Sequence, residues 1–300
     1  MTAVIAPTEA SRTTPAPIKP KPSGLAGRES VLLFVARHAI AIAIVVCALA
    51  PVVLIVLTSF MSPQQSLSSD FWPKTWHFGN YADVFRKLNM GRYLLNTLMY
   101  SVLATGFMLI SSVPAAYALA KLRWRGRNVV FLVIICMMFL PPQVTTVPLY
   151  LWWANFHLTG TLWPLILPNL LGDAFSIFLL RQFMVTIPNE YLDAARVDGA
   201  GEWRTLLRVI IPMAKPGIAA TAMFMFFYCW NDYYGPYLYT SENQSNWTLS
   251  FALASFHGLH NVEWNLVMAA AVITVAPILV LFFFAQKAFV QGITLTGVKG

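Results

Sequence analysis

Six runs of apolar residues, at about 39–60, 93–120, 129–150, 161–185, 212–238 and 265–289, each reach the roughly 20 residues a helix needs to cross about 30 Å of hydrocarbon. Such a chain has few ways to fold. Lipid offers no hydrogen-bond partners, so each crossing must satisfy its backbone internally, as a helix does. The fold class that follows is an all-α membrane protein with six transmembrane helices. Composition agrees: 58% of the residues are hydrophobic and 11% charged, whereas a soluble domain carries charge on about a quarter of its residues. Most runs exceed the minimum, which predicts tilted or kinked helices. Pro51, Pro114, Pro141, Pro142, Pro148, Pro164, Pro168 and Pro277 fall inside them. Each removes a backbone donor, and such breaks survive in a bilayer only beside protein or a water-filled cavity. Bent helices around a cavity fit a translocation pathway better than a passive anchor.

The net charge of +8 does not point to nucleic acid, because lysine and arginine mark the cytoplasmic ends of membrane helices. They concentrate in the N-terminal tail, in the connection after the second run (Lys121, Arg123, Arg125, Arg127) and in that after the fourth (Arg196, Arg204, Arg208, Lys215). The connection around Asn155–Gly160 is uncharged, and Asp232 to Glu263 has acids only. Both termini are therefore expected in the cytoplasm, with only the first external loop (61–92) diluting the pattern. Its aromatic residues suit the headgroup region. Residues 1–28 read as a disordered basic tail, and 29–300 as one six-helix domain. A signal peptide is the competing reading of the first run, since Ala48-Leu49-Ala50 has cleavage-site spacing. Pro51 and the apolar residues continuing to Phe60 argue against it. Cys47, Cys136 and Cys229 lie in separate runs, and the five histidines form no ligand pair.

One charged island, residues 187–211, separates the fourth and fifth runs. Pro188 precedes a short helix from Glu190 to Val197, whose acids Glu190 and Asp193 complement the positive helix end. Asp198-Gly199 ends it, because glycine accepts the left-handed conformation a cap requires. A second helix follows, with Trp203, Leu206, Leu207 and Ile210 at a spacing that predicts one buried stripe. Glu202, Arg204 and Arg208 lie off that stripe, and Pro212 anchors the island to the next crossing. Small residues (Ala194, Ala195, Ala200) permit close approach to a partner, and Glu190, Asp193 and Asp198 offer polar contacts.

This ordered set resembles the EAA loop of bacterial ABC importer permeases, with Asp193 where that loop has glutamate. Phe78-Gly79-Asn80-Tyr81, a helix-opening Asn96-Thr97, Glu263-Trp264-Asn265 and the C-terminal stretch from Gln286 to Gly300 extend the resemblance to carbohydrate-uptake, MalG-like members. It implies the type I importer permease fold and an ATP-driven sugar importer, di- or oligosaccharides leading and polyols or glycerol-3-phosphate as alternatives. It also implies an ATP-binding subunit dimer that grips the island, a second, MalF-like permease and an extracellular substrate-binding protein. ATP and Mg would be bound by the partner subunits and no cofactor by this chain. Gly292 and Gly297 have phosphate-loop spacing, but Val298 occupies the lysine position.

Polar residues inside membrane runs are candidates for function. Asn169, Asp173 and Arg181 are expected on one helical face, with Asp173 either in a cavity wall or paired with a neighbouring helix. Tyr228, Trp230, Asn231 and Asp232 combine aromatic faces with hydrogen-bonding groups, as sugar sites do and as interfacial belts also do. Gln143, beside Pro141-Pro142, is a weaker candidate. The rival function, an ion-coupled secondary transporter or channel, would display several midplane carboxylates or a filter. A membrane enzyme would need converging catalytic groups.

Overall fold

The computed structural model describes residues 31–256 and 263–297, so the expectations for the tail 1–28 and for Val298, Lys299 and Gly300 lie outside the described residues. The described residues are helical, with no strand among them. They divide into two units, one up to Val52 and one from Val53 onward. Helix α1, Val31–Ser59, starts eight residues before the first apolar run, because Val31 to Val35 extend it across Arg37 and His38. Between Leu33 and Val53 its side chains are exposed, as befits a surface bathed in lipid.

The second unit is built around one long helix, α3 (Met90–Ala120), which follows the short amphipathic α2 (Gly79–Lys87). The third run is not one straight crossing. Helix α4 (Arg127–Met137) and helix α5 (Pro142–Asn155) meet at 92°, because neither Pro141 nor Pro142 has an N–H to carry the helix ladder across the junction. The fourth run is also interrupted. A single turn, α6 (Trp163–Ile166), passes into a 3-10 segment, Leu167–Leu171, which ends at Gly172 with φ +94, and α7 (Ala174–Val185) starts afresh. The charged island forms α8 (Glu190–Val197) and α9 (Glu202–Thr205); α10 (Ile211–Asn231) carries the fifth crossing. Then come α11 (Tyr234–Thr240), α12 (Leu249–Ser255) and α13 (Trp264–Gly297). By length and composition, five helical stretches among the described residues can each cross a bilayer, and the number reaches six where the bent α4–α5 pair is counted as one broken span.

Helix α3 packs most extensively against α7 and α10, and α10 also against α13. Lipid tails are as apolar as leucine, so helices associate in a bilayer through close packing rather than through water exclusion. Small residues therefore occupy the contacts: Ala104, Ala116, Ala214, Ala269 and Ala270 are at most 1% exposed. One very close approach is at Gly217 on α10, where an added Cβ would stand 2.5 Å from the Phe183 ring of α7.

Opposite the charged island, polar side chains hold the loops. Asn80 Nδ2 donates to the carbonyls of Ser59 (2.8 Å) and Met61 (2.9 Å), and Asn265 Nδ2 donates to Asn80 Oδ1 at 3.2 Å. Lys87 and Glu263 pair at 3.1 Å beside them. Asn96 does not open a helix, being six residues inside α3; its amide donates to the carbonyls of Ser245 and Trp247. Asn80→Ala would strand two backbone acceptors in a buried junction, and each buried unsatisfied group costs about 1–3 kcal/mol. A clear fall in thermal midpoint of the detergent-solubilised protein is expected, and Asn80→Asp should lose at least as much, because a carboxylate cannot donate to either carbonyl.

Candidate functional site

The island folds by local rules. Helix α8 ends in a Schellman motif: the Gly199 N–H donates to the Arg196 carbonyl (3.0 Å) and the Ala200 N–H to the Ala195 carbonyl (2.9 Å). This requires the positive φ of Gly199, +75, where glycine carries no Cβ penalty. Ala200 thus contributes its backbone to the cap. One face of α8 is internal: Leu192 (2% exposed) and Ala195 (8%) pack with Leu206, Ile210, Tyr117, Phe183 and Ala214. Glu190, Asp193, Ala194, Asp198 and Gly199 are exposed. The structure therefore separates two alanines that sequence reasoning grouped: Ala194 is available to a partner, while Ala195 is core.

The second helix departs from expectation. Leu206 and Ile210 are buried, but Trp203 is 67% and Leu207 59% exposed, so half of the expected stripe faces outward. Helix α9 is also not a separate lever arm. It continues through a π turn, Leu206–Ile210, directly into α10, and Pro212 sits inside that continuous helix rather than at a joint. Lacking an N–H, Pro212 leaves the Arg208 carbonyl without its helical donor, and the wider π turn precedes it. The island is therefore a single helical end of the fifth crossing carrying α8 on a glycine turn.

A chain of polar contacts ties α8 to α3. The Tyr117 hydroxyl donates to Glu202 Oε2 at 2.6 Å, while Arg196 donates to Glu202 Oε1 at 3.1 Å and reaches Asp193 at 3.4 Å. The Glu202 hydrogen bond holds the Arg196 guanidinium still further above its usual range. Lys121 Nζ donates to the Ile187 carbonyl and to Asn189 Oδ1 (3.0 Å). Burial brings its ammonium below the usual lysine range, against the pull of the nearby Glu190 carboxylate. Tyr117 escaped the sequence reading and Lys121 entered it only as a cytoplasmic marker, because an aromatic and a lysine at a membrane helix end are what an interfacial belt also contains. Arg204 is exposed beside this network.

The pathway candidates are partly dispersed. Asn169 and Asp173 do not share a helical face, since the 3-10 segment and Gly172 intervene. The Asn169 amide donates to the carbonyls of Leu165 and Ile166, and its own carbonyl accepts from Ser111. Asp173 caps α7, accepting from the Ser176 N–H at 2.7 Å. Arg181 lies over the Phe131 ring at 3.8 Å, bracing α4 against α7. Trp230 is 1% exposed and donates to the Thr274 carbonyl, so it belongs to the α10–α13 core, not to an open pathway. Tyr228 and Asn231, one turn apart on α10, are exposed. Asp232 is engaged by the Tyr100 hydroxyl (3.0 Å) and the Gly235 N–H (3.0 Å). Gln143 is exposed in the first turn of α5.

Residues 112–295 match the sequence profile of the family described as binding-protein-dependent transport system inner membrane component. Over 254 residues the chain is 32% identical to the diacetylchitobiose uptake system permease protein NgcG of Streptomyces coelicolor, a match spanning 83% of this chain and 84% of that protein. It is 34% identical over 225 residues to the sn-glycerol-3-phosphate transport system permease protein UgpE of Yersinia pestis, covering 73% and 76%. Among solved structures it is similar to a chain of a bacterial ABC transporter that imports the acidic polysaccharide alginate. That match has a TM-score of 0.77 and 26% identity, over 87% of this chain and 98% of the other.

Proposed function

The chain belongs to the family of binding-protein-dependent transport system inner membrane components, and on that premise we propose that it imports a neutral di- or oligosaccharide, driven through α8. It is a permease subunit of an ATP-driven importer in the bacterial inner membrane, working with ATPase subunits and a substrate-binding protein. A permease component is not itself catalytic; ATP and Mg would be held by the partner subunits, and a second, MalF-like permease would complete the pathway. Both termini are assigned to the cytoplasm on the sequence pattern of lysine and arginine, which concentrate in the N-terminal tail and in the connections that hold Lys121 to Arg127 and Arg196 to Lys215.

The observation that carries the reading is the geometry of α8. Its outer face presents Glu190, Asp193, Ala194 and Asp198 to a partner, and its inner face is buried against α3, α7 and α10. A displacement of α8 is passed to α3 through Arg196, Glu202 and Tyr117, and to α10 across the capped glycine turn into the continuous α9–α10 helix. Asp173, Tyr228, Asn231 and Gln143 are assigned to the pathway wall. A neutral sugar is favoured over glycerol-3-phosphate, the named substrate of the Yersinia relative, because these groups include no cation to match a phosphate.

The test is uptake of a labelled sugar panel by cells carrying the intact transporter or Gly199→Pro, with the ATPase followed by co-purification. Proline fixes φ near −65°, on the opposite side from the +75 observed at Gly199. One sugar taken up by wild type, with uptake and ATPase association both lost in the variant, is the expected result. An ATPase that never co-purifies, or uptake that follows the proton gradient, would overturn it.

A further inference from the structure

Two adjoining cavities of about 310 and 290 Å³ lie where α3 passes into α4, and both are lined by Arg123 and Arg127. The first is floored by Trp124 and Val129; the second reaches Lys121, Asn189 and Arg196 beside α8. Four cations thus face a single carboxylate in the lining, Asp193, which is already engaged by Arg196 at 3.4 Å. Among the described residues neither Arg123 nor Arg125 has a carboxylate or hydrogen-bond partner, while Arg127 donates only to the Leu122 carbonyl. Arg196 is answered by Asp193 and Glu202, and Lys121 lies near Glu190, but intramolecular ion pairing leaves Arg123 and Arg127 unanswered.

We propose that this basic pocket binds the phosphate headgroup of an anionic phospholipid, with the acyl chains lying along α4. The position selects lipid over an acidic protein surface. Helix α3's apolar stretch ends at Ala120, so Arg123 to Arg127 stand at headgroup depth. Immediately beyond them α4 exposes Val129 (65%), Val130 (43%) and Val133 (54%), and none of its residues is buried. A cationic pocket rimmed by exposed aliphatic side chains matches a molecule with an anionic head and an apolar tail; an acidic protein surface would leave those valines uncovered. Basic pockets between helices on the cytoplasmic face are a recognised means of holding such headgroups. Because Asn189 and Arg196 share the lining, a bound headgroup would bridge the α3–α4 connection to α8. Coupling would then be stiffer in anionic bilayers.

The proposal rests on the membrane placement above, and its test uses neither sugar nor ATPase, so its failure leaves the importer reading standing. The full-length chain, purified in detergent, is equilibrated with vesicles of phosphatidylcholine alone or with phosphatidylglycerol added, and retained lipid is quantified by native mass spectrometry. Phosphatidylglycerol is expected to be retained preferentially. Arg123→Gln should weaken retention by about fivefold, the effect of one cation near the surface, with a larger loss in Arg123→Gln/Arg127→Gln. Arg123→Lys should retain most of it, and Arg86→Gln in the opposite loop all of it. Arg123 makes no contact the fold depends on, so the single variant carries the test even where the double variant misfolds. Equal retention by wild type and Arg123→Gln, or an equal loss in Arg86→Gln, would overturn the proposal. So would full displacement by millimolar inorganic phosphate, which would assign the pocket to a soluble anion.

Discussion

Gly217→Val is expected to abolish accumulation of folded protein in the membrane, and uptake with it. Gly217 is buried where α10 meets α7, and even a methyl group there would stand 2.5, 2.8 and 2.9 Å from three atoms of the Phe183 ring. The ring cannot retreat freely, because Phe183 is 5% exposed and packed among Leu180, Met184, Ile210 and Ala214. Overpacking of this kind costs about 1–3 kcal/mol for a small addition and more for a branched one. Gly217 also lies on the helix that continues from the island, so coupling is expected to be lost with stability. Gly217→Ala should yield reduced but measurable protein, and Gly217→Ala with Phe183→Leu should recover part of the loss by opening space. Fluorescence-detected size exclusion on solubilised membranes checks the series; wild-type levels of monodisperse Gly217→Val would refute the close-packing argument.

The sequence and the structure agree best where short-range rules act alone. Helix α8, its acidic first turn and its glycine cap follow from the spacing of Pro188, Glu190, Asp193 and Gly199, because capping geometry depends on neighbours a few residues away. Agreement fails where the environment outside a helix decides. A period-based stripe assumes that apolar residues avoid water, yet Trp203 and Leu207 are exposed, as lipid or a partner subunit permits. Trp230 failed for the related reason that an aromatic near a helix end has the same spacing whether it faces the core or the headgroups. The break before α7 left a mark that was not read: Gly172-Asp173 follows Pro168 and precedes Ser176 by three residues, the pattern of a helix restart with a capping acid. The clip from Asn80 to Asn265 joins residues 185 apart, and no local pattern announces such a pair.

Two adjacent alanines provide the most decisive test of how motion enters the helices. Ala194→Arg adds a long cation to the exposed face of α8 and leaves every buried contact of the island in place, so the protein should fold, insert and resist heating as wild type does. An ATPase closing on α8 would meet that side chain where a methyl group stood, and the cost of burying an unmatched charge is several kcal/mol. Uptake should therefore fall by about a hundredfold or more, since each 1.4 kcal/mol is a factor of ten, and the ATPase should no longer co-purify. Ala195→Arg differs by one position and should fail differently, because Ala195 is 8% exposed and packs with Leu192, Leu206 and Ile210. There the charge enters the chain's own core, and folded protein disappears before association can be measured. Thermal unfolding, co-purification and uptake on the pair distinguish a docking face from a structural one. Normal uptake by Ala194→Arg would mean that α8 is not the surface on which the ATPase acts.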